Sequence, residues 1–119
     1  MRKTDNLLEK VLINIEEGIR DGINVDTVAK KHTLSERHLQ RLFKLAFSQS
    51  IGFYIRSRKL AASIDDLLNT NLNVLDIALD YGFEYEQSYI RAFKREFGIT
   101  PGNFRKTGQT VKFKNVRKC

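Results

Sequence analysis

The sequence predicts an all-α protein of about seven helices, and three observations carry that prediction. Apolar residues recur at spacings of three and four along most of the chain, the pattern of helices with one buried face. Only Val111 to Val116 alternates at period two, and a single proline in 119 residues leaves helices uninterrupted. The chain also nearly repeats itself. Phe43-Lys44, Phe47, Gly52 and Tyr54 align with Phe93-Lys94, Phe97, Gly102 and Phe104 at an offset of 50, and Arg41 aligns with Arg91. Upstream the offset is 49: Ala29 with Ala78, His32 with Tyr81, Leu34 with Phe83. Two copies make a tandem pair of one supersecondary unit, not a solenoid, which needs three or more repeats.

The elements follow in order. Leu7, Leu8, Val11, Leu12, Ile15 and Ile19 give an amphipathic helix of about 15 residues, expected to end near Asp21-Gly22, where glycine supplies a left-handed cap. Asn24 is the N-cap of a short helix with Asp26 at its positive end and Val25, Val28 and Ala29 facing inward. That helix stops around His32-Thr33. Ser35 caps the next helix, Glu36 to Phe47, whose inward face is Leu39, Leu42, Phe43 and Ala46. A long helix runs from about Gly52 to Asn69. Asn73 caps another short helix, with Asp76 placed as in a capping box. Tyr81-Gly82-Phe83 makes a turn into Glu86 to Phe97, the counterpart of Glu36 to Phe47. Thr100-Pro101 opens a last short helix with proline at its first position.

These elements divide the chain into residues 1–51, a linker helix over 52–70, residues 71–106, and a tail over 107–119 that is expected to be disordered. The tail is basic. Residues 105–119 hold six cations and no acid; the whole chain is +7, so residues 1–104 carry +1. Such a tail is either simply solvated or drawn to a polyanion such as phosphate.

Composition excludes several classes of function. No run of 18 apolar residues is present, so no membrane span is expected, and the polar N-terminus leads us to expect no signal peptide. The single cysteine, Cys119, allows no internal disulfide and suits a reducing cytoplasm. His32 and His38 have no companion ligands, so no metal is expected. Asp65 and Asp66 are adjacent on a helix and point different ways. No phosphate-binding glycine loop and no nucleophile–base ordering is found, so neither a cofactor nor a catalytic residue is expected, and the chain does not read as an enzyme.

Each repeat closes on a short helix, a turn of three or four residues and a longer helix, which is the helix-turn-helix pattern. The second helix of such a unit buries one stripe and presents the opposite one to base edges in a groove about 12 Å wide. Arg37, Gln40 and Arg41 occupy that stripe in the first copy, and Gln87, Ser88 and Arg91 in the second. Arginine can pair with guanine O6 and N7, and glutamine with adenine N6 and N7, through two hydrogen bonds each. Ser35, Lys44, Lys94 and Arg95 are placed to hold the DNA backbone. A linker helix of about 18 residues is about 27 Å long. With the offsets of the flanking helices, that length suits major-groove faces recurring every 34 to 36 Å or so along one side of a duplex. One monomer could then occupy two adjacent groove segments of double-stranded DNA. The residues leave open a second reading, a helical protein-interaction module (an adaptor or anti-regulator) that keeps the fold without binding DNA specifically.

The blocks Arg41-Leu42-Phe43-Lys44, Tyr54 to Leu60, Ile77 to Phe83 and Ala92 to Pro101 resemble the double helix-turn-helix domain of the AraC/XylS transcription regulators, and within it the small MarA/SoxS/Rob branch. The resemblance covers about residues 6 to 106. It implies a bacterial, cytoplasmic, nucleoid-associated regulator, an activator working beside RNA polymerase, with Arg37, Gln40, Arg41, Gln87, Ser88 and Arg91 at base-contacting positions. The chain departs from that branch at three places: Arg37 stands where the branch has an aromatic, Glu86 where it has Gln, and Ile90 where it has Thr. An acid can accept from cytosine N4, and an aliphatic can touch a thymine methyl, so the target sequence is expected to differ.

Overall fold

The computed structural model describes residues 3–107, with side chains from residue 6 onward. The alternating stretch 111–116 and all but the first residue of the expected tail lie outside the described residues. Seven α-helices and no strand are found among them: α1 (Lys3–Glu17), α2 (Val25–Lys31), α3 (Glu36–Phe47), α4 (Ile51–Asn69), α5 (Val74–Asp80), α6 (Glu86–Phe97) and α7 (Pro101–Thr107). The chain divides into two compact units, Met1–Arg58 and Lys59–Cys119, and the division falls inside α4.

In the first unit Leu8, Val11 and Ile15 of α1, Val28 and Ala29 of α2, Leu39 and Phe43 of α3, and Ile51 and Ile55 of α4 are buried. Burying each large aliphatic or aromatic side chain is worth about 1.5–3 kcal/mol. Glu16 of α1 accepts two hydrogen bonds from Arg58 of α4, from Nε at 2.7 Å and from Nη2 at 3.1 Å. Both partners are over two-fifths exposed, so this bidentate pair fixes geometry more than it adds stability.

The second unit has a core of Leu60, Ile64 and Leu67 from α4, Ile77 and Ala78 from α5, Tyr81, Tyr89 and Phe93, and Phe104 of α7. Phe93 meets Tyr89, Phe97 and Phe104 with ring centroids 5.8, 4.7 and 5.8 Å apart. Arg105 of α7 clasps the end of α4. Its Nε donates to Leu67 O at 2.9 Å, and its Nη2 donates to Asp66 O at 3.4 Å and to Thr70 O at 3.2 Å. One guanidinium thus partners Leu67 O and Thr70 O at the helix C-terminus and shares Asp66 O with the N–H and hydroxyl of Thr70.

Three local expectations are corrected. The first helix ends at Glu17 rather than near Asp21-Gly22. Gly18 N–H bonds to both Asn14 O and Ile15 O, and the chain then winds through turns, with Ile23 N–H returning to Gly18 O at 3.3 Å. A Cβ on Gly18 would lie 2.8 Å from Ile23 Cδ1 and 3.1 Å from its Cβ, so the close approach of Ile23 leaves little room for a side chain here. Gly22 does adopt a positive φ, 73°, but as a turn residue. Ala46, expected inside, is exposed. Phe47 and Tyr54 pack on Phe43 at 4.7 and 5.5 Å, and these rings cover the end of α3 in its place. The reciprocal capping box belongs to Asn24 with Thr27, not to Asn73 with Asp76. Asn24 Oδ1 accepts from Thr27 N–H at 2.9 Å, and Thr27 Oγ1 accepts from Asn24 N–H at 3.1 Å. Asn73 Oδ1 accepts from Asp76 N–H at 2.8 Å as a one-way cap.

Candidate nucleic-acid interface

Each unit presents one polar-faced helix at the end of the same local fold. In the first, Leu34 N–H bonds to Ala29 O at 2.9 Å across the turn, and Thr33 takes the left-handed conformation at φ 55°. Ser35 then caps α3, its Oγ accepting from His38 N–H at 3.1 Å. That leaves the hydroxyl proton of Ser35 able to donate outward. Leu39 and Phe43 are fully buried, which fixes the rotation of α3. Arg37, Gln40, Arg41 and Lys44 are all exposed. At about 100° per residue they occupy an arc of about 100° on the side away from the core. No ion pair among the described residues engages Arg37, Arg41 or Lys44, so their charges remain open to an outside anion.

The second unit reproduces this arrangement with different chemistry. Phe83 N–H bonds to Ala78 O at 3.0 Å, and the left-handed residue is Gly82 at φ 86°. The N-cap position is Tyr85, whose side chain makes no capping bond and is 67% exposed. Tyr89, Ala92 and Phe93 are buried and set the rotation of α6. Tyr89 O–H donates to Ser63 Oγ at 2.8 Å, and Ser63 donates in turn to Leu60 O at 2.7 Å. Burial, partly offset by the Ser63 bond, pushes the Tyr89 phenol up to about 12, so it stays a neutral donor. Gln87, Ser88, Arg91, Lys94 and Arg95 are exposed, as is Glu86. Ile90 is half-buried, so it belongs only in part to the outward face.

The structure therefore brings the expected residues together as two sets, one per unit. Sequence reasoning did not single out Ser63, Tyr85 or Arg105. Ser63 and Arg105 act on partners 26 or more residues away, which periodicity does not reveal. Tyr85 was legible from its place before Glu86, where Ser or Asn would be the ordinary cap. No group of three or more potential metal ligands exists among the described residues.

A model of the helix-turn-helix domain family matches residues 28–107. The chain is 37% identical over 106 residues to the probable transcription factor PqrA of Proteus vulgaris, covering 87% of each. It is 36% identical over 99 residues to the regulatory protein SoxS of Escherichia coli, covering 83% of this chain and 92% of SoxS. The chain belongs to the AraC family. Its AraC-type fold is shared with the C-terminal domain of the response regulator YesN of Fusobacterium nucleatum, at a TM-score of 0.77 and 30% identity over 84% of this chain and 98% of that domain. The DNA-binding domain of AdpA, solved with a target DNA, has the same fold at a TM-score of 0.75 and 20% identity, over 84% of this chain and 90% of that one. As an AraC-family member the chain is a DNA-binding transcription regulator.

Proposed function

We propose that the chain reads two adjacent major-groove segments of one duplex as a monomer, with α3 and α6 as recognition helices. Residues 1–51 and 71–106 form the two reading subdomains, and residues 52–70 join them. The observation that supports this reading most is the recurrence, at matched positions of two units, of an exposed polar stripe opposite a fully buried one. Arg37, Gln40 and Arg41 read bases from α3, and Gln87, Ser88 and Arg91 from α6. Ser35, Lys44, Lys94 and Arg95 hold phosphates. Relatives named as a probable transcription factor and a regulatory protein support action at promoters, and the reading extends this to an activator in the nucleoid working beside RNA polymerase.

Selection from random duplex DNA, followed by sedimentation of the complex, tests this. The expected result is two short motifs about one helical turn apart bound by one chain; a compulsory dimer with one motif per chain overturns it. Within the selected site Arg41→Ala should cost about 1–3 kcal/mol and relax one base position. Lys44→Ala should instead weaken all sequences alike and reduce the salt slope by about one. Equal, uniform losses would refute the division of roles. Because Glu86 is acidic and Ile90 half-buried, substitutions in α6 should relax specificity less than those in α3.

A further inference from the structure

The outer face of α5 carries two leucines that the fold does not call for, Leu75 and Leu79, and Leu72 stands just before the helix. Leu72, Leu75 and Leu79 are 39%, 42% and 51% exposed. Leu75 and Leu79 lie one turn apart on the same face of the helix. At the offset of 49 their counterparts in the first unit are Asp26 and Lys30, a solvent-exposed ion pair at 3.2 Å. The same supersecondary unit is thus built once with a solvated ion pair and once with a leucine pair, so packing within the unit does not require leucine there.

The stretch of chain that carries this face is acidic. From residue 60 to residue 90 the chain holds Asp65, Asp66, Asp76, Asp80, Glu84 and Glu86 and no Lys or Arg, although the whole chain is +7. Asp76 and Asp80 sit beside the leucines on α5, both exposed. Phosphate-rich partners are repelled by such a surface, and a basic segment with apolar side chains is attracted.

The chain contains one such segment. Residues 108–119 carry Lys112, Lys114, Arg117 and Lys118 without an acid, interleaved with Val111, Phe113 and Val116. They follow α7, which is tied to the segment just before Leu72. Arg105, two residues before the end of α7, donates to Thr70 O at 3.2 Å, and Thr70 Oγ1 accepts from Leu72 N–H at 3.3 Å. Twelve residues can span up to about 40 Å, whereas seven-residue α5 is about 10 Å long. We propose that residues 108–119 dock in cis on the Leu75–Leu79 face of α5 and on Leu72 before it, with Val111, Phe113 and Val116 covering the leucines and the four cations beside Asp76 and Asp80.

Cys119 is the only cysteine, so a nitroxide placed there labels the end of the segment without further substitution. In the DNA-free, nitrogen-15-labelled full chain, the amides of residues 72–80 should lose intensity selectively, while those of α1 and α3 keep theirs. The double variant Leu75→Asp/Leu79→Lys installs the first unit's ion pair at exposed positions. It should restore the lost intensity with an unchanged helical circular dichroism spectrum. Uniform or absent broadening in the wild-type chain overturns the proposal even if the variant does not fold. So does broadening that persists in a folded variant. Broadening that appears when labelled and isotopic chains are mixed, and vanishes on dilution, assigns the face to a second copy and also overturns docking in cis.

Discussion

The first unit turns into its outward helix through Thr33 at φ 55°, whereas the second turns through Gly82 at φ 86°. The first then spends a serine on capping, and the second places an uncapped tyrosine at the same point. What the second lacks in local hydrogen bonding it has in aromatic packing: Phe83, Tyr89, Phe93, Phe97 and Phe104 form a chain of ring contacts, where the first has Phe43 with Phe47 and Tyr54. The same helix-turn-helix geometry can therefore rest on different sources of stability. Cap chemistry supports the first copy despite a left-handed threonine in its turn, and side chains far apart in sequence hold the second.

Substitutions at matched positions can break this contrast. The largest effect is expected at the central rings. Phe93→Ala and Phe43→Ala should each cost about 3–5 kcal/mol in urea unfolding, with Phe93 at the upper end because it touches more rings. Equal losses would deny that the second unit depends more on aromatic packing. Next, exchanging the turn residue should show the strain that Thr33 carries. Gly82→Thr should cost about 1–2 kcal/mol, the ordinary penalty of a side chain in the left-handed region. The caps come third. Ser35→Ala should lose about 1 kcal/mol, whereas Tyr85→Ser should gain up to about 1 kcal/mol by supplying the missing cap. No gain from Tyr85→Ser would mean that the α6 amides find another partner.

The smallest effect concerns His32 against Tyr81. His32 Nε2 is buried with no hydrogen-bond partner among the described residues. Desolvation, with smaller contributions from Lys31 and Lys10, lowers its pKa below the ordinary 6.5. The folded form takes up a proton less readily than the unfolded one, so the stability tied to neutral His32 is fully present above about pH 6.5 and declines as pH falls below it. Urea midpoints near pH 7.5 and near 5.5 should differ for the wild-type chain and differ less for His32→Gln. A pH response unchanged by that substitution would assign it to carboxylates instead.

Much of the fold was legible because its signals are local. The bounds of α3 follow from one cap and a stripe at helical spacing, those of α6 from its place as the counterpart of α3, and Asn24, Ser35 and Asn73 all cap as their positions suggest. The outward sets on both helices were legible for the same reason, since burying Leu39 and Phe43, or Tyr89 and Phe93, leaves one orientation for the rest. What was hidden depends on distant partners. Nothing around Gly18 in sequence announces that Ile23 comes back onto it, so the end of α1 was placed too late. Arg105 read as one more cation at the edge of a basic tail, yet it clasps α4 and is part-buried. Ser63 looked like a small residue in a helix, but it receives the Tyr89 phenol that helps orient α6.

The chain contains no tryptophan and four tyrosines. Tyr54 lies in the first unit; Tyr81, Tyr85 and Tyr89 lie in the second, and of these only Tyr85 stands in solvent. Light absorbed near 280 nm is therefore emitted mainly by the second unit, and collisional quenchers reach Tyr85 first. The protein comes with an optical probe mounted at the entrance to α6, which can follow occupancy of that helix alone without any dye or engineered residue.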